Sequence, residues 1–187
     1  LRSVRNHPDL KKNYGGIKVK NSKIIYLVHG ALIAASYAAL TYLASVFGVA
    51  YGSIQFRFSE ALTILPVLTP AAIPGLTIGC LIANIASPYP ADMLFGTLAT
   101  LIAAIATRAL RKITVKGIPV LSPLAPVVFN ALIIGAEISL FLPEGITFAA
   151  FLYSALTVGA GELAVCYVLG IPLLLALKRK TVGKSLQ

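Results

Sequence analysis

The chain has 187 residues, 58% of them hydrophobic and only 12% charged, with a mean hydropathy of +0.88. Soluble domains carry about 25% charged residues, so this chain has too few to keep its own surface in water, and the same composition excludes disorder. The net charge of +10, from 16 Lys and Arg against 6 Asp and Glu, would suggest nucleic acid in a soluble protein. Here the basic residues gather at the chain ends and in one connection, which suits membrane topology instead.

The chain opens LRSVRNHPDL without a methionine, which fits a trimmed or engineered start, and residues 1–22 are too polar for a signal peptide. They read as a basic cytoplasmic segment ahead of a membrane domain over 23–180, with 181–187 as a cytoplasmic tail. Apolar stretches follow at 24–47, 61–87, 91–110, 118–142 and 146–177. At about 20 residues per spanning helix, five spans are the naive count.

Charge placement changes that count. Arg2, Arg5, Lys11, Lys12, Lys18, Lys20 and Lys23 precede the first stretch. Arg108, Arg111, Lys112 and Lys116 lie in one connection, and Lys178, Arg179, Lys180 and Lys184 lie near the end. Cytoplasmic loops are rich in Lys and Arg. Five spans would put the 108–116 cluster and the C-terminal cluster both on the side opposite the first. If 61–87 instead enters the membrane and returns, all three lie inside and only Arg57 lies outside. Pro66, Pro70 and Pro74 supply the break, because proline removes a backbone donor and interrupts a helix. Twenty-seven residues are too few for two full spans, so at least one helix of this pair is short. Broken segments at membrane depth are tolerated where protein covers them or a cavity adjoins them, and they point to binding sites. The expectation is an all-α integral membrane protein of six transmembrane helices, the second and third short or broken, in the bacterial cell membrane with both termini cytoplasmic. The outer connection 48–59, GVAYGSIQFRFS, alternates somewhat like a strand and is expected to cap the outer face.

Polar residues inside such a chain are costly and mark function. On this topology Gln55, Arg57, Glu60, Asn84, Asp92, Asn130, Glu137 and Glu162 all fall at the outer end or middle of their segments. The inner halves carry nothing ionisable except His29, read as interfacial. This asymmetry describes a pocket open to the outside, not a continuous path. Asn130 and Glu137, seven apart, share a helix face. Arg57 has Glu60, Asp92 or Glu137 as possible partners. Each residue could also simply tie helices together, and Asp92 and Glu144 lie near enough to water to be interfacial. Tyr37, Tyr42, Tyr51, Phe56, Tyr89 and Tyr153 could stack on a flat ligand or sit at the membrane interfaces. Cys80 and Cys166 read as packing residues, with no metal-ligand spacing around them.

The first helix carries two small-residue stripes, Ala31, Ala35, Ala39 and Gly30, Ala34, Ala38. A third runs through Gly75, Gly79 and Ala83. Such stripes let helices approach closely in lipid, within the chain or against a partner. No Walker A, GxSxG or HExxH pattern is present, so neither ATP hydrolysis nor another catalytic role is expected of this chain.

IQFRFSEALTILP (54–66), AIPGLTIGCLIANI (72–85), FGTLATLIAA (95–104), FNALIIGAE (129–137) and GELAVCYVLGIPLLLAL (161–177) resemble the QueT family. These are S components of energy-coupling factor (ECF) transporters, and the resemblance runs from about Lys23 to Lys180. It implies a six-helix S-component fold that captures a vitamin-like compound from outside. It also implies docking on a membrane scaffold, EcfT, with two ATPases, EcfA and EcfA', whose ATP and Mg drive toppling of the S component. This chain would hold no cofactor itself. In the family the AxxxA face of the first helix docks on the scaffold, and Ala31, Ala35 and Ala39 match it. Family members are assigned to queuosine precursors, which are flat deazaguanine bases, whereas similar members carry cobalamin, and the residues admit both. The competing readings are a stand-alone permease or channel, and a membrane enzyme using Glu137 or Glu162 as base.

Overall fold

In the computed structural model, residues 22–51, 56–142, 145 and 147–184 are described. Among them the chain is helical, and the one β feature is an isolated bridge between Val115 and Ile118. The strand-like alternation of 48–59 produces no strand in the part described, residues 48–51 and 56–59. Phe56 N donates to the Val49 carbonyl at 2.7 Å, which closes this connection as a loop instead.

The helices are α1 (Ser22–Val46), a 3₁₀ helix (Phe58–Val67), α2 (Ala72–Asn84), α3 (Asp92–Leu110), α4 (Leu124–Phe141), α5 (Phe148–Val165), a π turn (Cys166–Gly170) and α6 (Ile171–Lys184). Helix α6 therefore continues past residue 180. Four helical stretches are long and apolar enough to cross a membrane: Ser22–Val46, Asp92–Leu110, Leu124–Phe141 and the continuous rod Phe148–Arg179. The chain is a multi-pass membrane protein.

Between α1 and α3 lie the two short helices expected around the proline triplet. The 3₁₀ helix rises about 20 Å over its length, and the 13 residues of α2 rise about the same. Neither matches a hydrocarbon core of about 30 Å. Pro66 fits inside the 3₁₀ helix, and most of that helix is buried. Residues three apart eclipse in this geometry, so Glu60, Thr63 and Pro66 line one row. Protein thus covers most of the irregular backbone, as a low-dielectric setting demands.

Contacts fix the direction of each segment. The small residues Gly75 and Gly79 lie on α1. A Cβ at Gly75 would stand 2.7 Å from the Gly30 carbonyl oxygen, and one at Gly79 would stand 2.7 Å from that of Ala34. Helices α1 and α2 therefore run parallel in close contact. Tyr42 donates to the Ile82 carbonyl and Tyr51 to that of Ala83, each at 2.7 Å, which fastens the far end of α2. Helix α3 returns, with Thr100 bonding Cys80 at 3.2 Å and Arg108 reaching the Pro66 carbonyl at 2.8 Å. Helix α4 starts at Leu124, not 118, because Pro119 and Pro123 are buried in the preceding turn. Gly135 meets the Ala155 backbone of α5 so closely that a Cβ would lie 2.7 Å from its Cα. Thr147 caps α5 by accepting from Ala150 N at 3.1 Å. At Pro172 the helical bond to the fourth preceding carbonyl is impossible, and the π turn immediately before it absorbs the mismatch. The six segments alternate in direction, and Lys178 reaches the Gly117 carbonyl at 3.4 Å. The start of α1, the 111–118 connection and α6 thus share one basic end.

Candidate functional site: a buried polar cluster

The sequence-selected polar residues converge. Arg57, Glu60, Asn84, Asp92, Asn130, Glu137 and Glu162 come from five elements, and each is at most 7% exposed. Gln55 and Glu144 lie outside the described residues.

The cluster has two parts. Toward the end away from the basic residues, Arg57 approaches Asp92 with 3.7 Å between Nη2 and Oδ2. Of the three partners open to it in the sequence, this is the one it pairs with. Its Nε donates to the Ala50 carbonyl at 2.8 Å, its Nη1 to Asn84 Oδ1 at 3.3 Å, and its guanidinium lies 5.1 Å from the Tyr51 ring centroid. Asn84 Nδ2 donates to the Asp92 carbonyl at 2.8 Å, and Ser87 donates to Asp92 Oδ2. Asp92 is therefore a buried, multiply bonded residue and not an interfacial one, because the α2–α3 turn folds over it. Glu137 stands near Asp92 and Arg57, and both its carboxylate oxygens are buried without a hydrogen-bond partner among the described residues.

Deeper in the bundle, Asn130 Nδ2 donates to Glu162 Oε1 at 2.7 Å, and Cys166 Sγ lies 3.5 Å from Glu162 Oε2. Tyr37 donates to Glu60 Oε1, while Glu60 Oε2 is buried and unpartnered. Thr41 donates to Ser59 at 2.7 Å and holds the start of the 3₁₀ helix against α1. Between these groups is a small, partly enclosed cavity of about 200 Å³, lined by Arg57, Glu60, Gly96, Thr100, Asn130, Ile134 and Glu162. Its water-accessible volume is about 10 Å³, room for one water-sized group. Ligand pockets ordinarily measure about 300–1,000 Å³, and this cavity is smaller. Gly96 is required here: a Cβ would lie 2.6 Å from Asn84 Nδ2.

Sequence reasoning passed over Ser59, Thr63 and Thr100, which complete the lining or its support. Small hydroxyl residues are too common in apolar helices to stand out. The two cysteines are buried and free, but both touch polar cluster members and do more than fill space. Of the aromatic residues, Tyr37 is buried on Glu60. Tyr89 and Tyr153 are exposed, and Phe56 packs edge-on against Phe58. His29 is exposed. No group of metal-ligating residues occurs among the described residues.

The stripes of α1 separate. Ala34 and Ala38 are buried, with Gly30 and Ala34 against α2, whereas Ala31, Ala35 and Ala39 are exposed. The stripe through Gly75, Gly79 and Ala83 serves internal packing.

Residues 27–179 match the family described as QueT transporter, and the chain belongs to that family, which is a family of transporters and not of enzymes. The queuosine precursor transporter QueT of Lactococcus lactis subsp. cremoris (strain MG1363) is 38% identical over 84 residues, covering 45% of this chain and 50% of that protein. The chain thus spans about half the length of the curated relative it matches. No solved structure matches it.

Proposed function

We propose that this member of the QueT family is the substrate-binding S component of an ECF importer, and that it captures a deazaguanine-type queuosine precursor in the cluster around Glu60, Asn130 and Glu162. The observation that carries the reading is the buried acceptor oxygen without a partner on Glu60, which shares a cavity lining with the Asn130–Glu162 pair. A guanine-like base presents adjacent N–H donors that a carboxylate accepts as a pair, while an amide both gives and accepts. The name of the Lactococcus relative agrees with this ligand class. A corrinoid would need a wide apolar chamber, and the lining here is polar.

On this reading all six segments serve as the S-component helices, the basic end is cytoplasmic and the polar cluster opens outward. Gln55, in the outer connection, joins Arg57, Asn84, Asp92 and Glu137 near the entrance. Because the chain lacks a nucleotide-binding motif, ATP and Mg are used by EcfA and EcfA'. The exposed Ala31, Ala35 and Ala39 meet EcfT, since a flat small-residue face admits close helix approach.

Titration of the purified protein with deazaguanine bases and, in parallel, with cobalamin and cobinamide tests the ligand. Saturable binding of the bases alone is expected. Binding of the corrinoids alone would overturn the assignment.

A further inference from the structure

The connection between α3 and α4 turns sharply at the basic end. Val115 N donates to the Ile118 carbonyl at 2.9 Å, and Ile118 N donates to that of Val115 at 3.0 Å. Between them Lys116 has a φ of 51° and Gly117 one of 78°, two left-handed residues in succession, as in a type I′ turn. Glycine adopts that conformation freely, whereas a lysine seldom does. Lys178 of α6 donates to the Gly117 carbonyl at 3.4 Å and Tyr167 to the Val120 carbonyl at 2.7 Å. The turn is therefore held against the last helical rod in one shape.

Its surface combines two chemistries. Lys112 and Lys116 are exposed, and neither forms an ion pair among the described residues. The described acids, Glu60, Asp92, Glu137 and Glu162, are all buried in the polar cluster. Residues 1–21 are themselves strongly basic, so the chain offers no counter-charge to these lysines. Between the two cations, Ile113 and Val115 are 50% and 57% exposed. Membrane sidedness accounts for the sign of the charges but not for apolar side chains interleaved with them. A basic and apolar surface at the end of spanning helices matches the edge of a bilayer. There apolar groups enter the acyl region, lysine stems lie along it and ammonium groups reach the phosphates.

We propose that the 111–118 turn is an interfacial anchor for anionic phospholipid in the leaflet at the basic end, with Lys112 and Lys116 on the headgroup phosphate and Ile113 and Val115 among the chains. This site is separate from the polar cluster and does not depend on what that cluster binds.

The test titrates the purified full chain in detergent with phosphatidylglycerol and, separately, with phosphatidylcholine of the same acyl chains, and counts bound lipid by native mass spectrometry. Tighter binding of phosphatidylglycerol is expected. A basic residue near an anionic surface contributes about 1 kcal/mol, so Lys112→Gln combined with Lys116→Gly should lower that affinity about fivefold for each cation removed. Glycine at 116 keeps the left-handed turn. Arg2→Gln with Arg5→Gln removes equal charge elsewhere in the sequence and is expected to leave the preference unchanged, with thermal unfolding recorded to establish that both variants fold. Equal affinity of the unaltered chain for the two lipids overturns the anchor. Equal loss of preference in both variants assigns it to net charge and also overturns the anchor. A preference undiminished in the folded turn variant does the same, and loss of uptake by that variant would then give the turn to a protein partner.

Discussion

Asn130 on α4 donates to Glu162 on α5 at 2.7 Å, 32 residues apart in sequence and both buried. Each side chain supplies the other with a partner at a depth where an unpaired polar group is costly. The pair therefore holds one wall of the cavity in a defined shape.

Asn130→Ala removes that donor. Ligand affinity is expected to fall between about tenfold and a hundredfold, because hydrogen bonds to charged groups are worth about 1.5–3 kcal/mol. Isothermal titration with the deazaguanine bases checks it. Unchanged affinity would move the site away from the α4–α5 wall.

The Arg57–Asp92 pair is buried at both ends. Arg57→Met leaves Asp92 without its cation, and destabilisation by about 3–5 kcal/mol is expected. Adding Asp92→Asn in the same chain should recover part of the loss, read as a non-additive double-mutant cycle. Strict additivity in denaturant unfolding would show that the two residues act separately.

Helices α1 and α2 touch through backbone. Gly79→Ala drives a Cβ to 2.7 Å from the Ala34 carbonyl oxygen, and overpacking of this kind costs about 1–3 kcal/mol. Gly30→Ala meets its nearest neighbour at 3.4 Å and serves as the tolerated control. A lower melting temperature is expected for the first variant only.

Two residues one position apart on α1 should behave in opposite ways. Ala34 is 7% exposed and packs on α2, so Ala34→Trp is expected to abolish folding. Ala35 is exposed, so Ala35→Trp should leave ligand binding intact while abolishing uptake in cells that supply the scaffold and ATPases. Uptake surviving Ala35→Trp would remove the exposed stripe from the docking surface.

Much of this protein is written locally. Hydrophobic length marks the long apolar segments, the three prolines between 66 and 74 enforce the short pair, and the Lys and Arg clusters mark the end shared by the start of α1, the 111–118 connection and α6. The polar residues stand out against an apolar background because lipid and packed helix cores exclude them, so nearly every member of the cluster was legible before any fold was known. The sequence could not choose among the three partners of Arg57, because that depends on how the α2–α3 turn folds over Asp92. Nor could it say which of two adjacent alanine stripes packs inward. Their spacing is identical, and only the approach of Gly75 and Gly79 buries one and leaves the other exposed. The same holds for the 3₁₀ helix: proline determines that the chain breaks there, but the burial of Glu60 against Tyr37, and the opposing Glu162, come from packing α1, α3 and the π turn around it. Sequence determined which groups must be hidden from lipid, because that cost belongs to each residue singly. Tertiary structure decided which groups face one another, because pairing energy belongs to distances between segments.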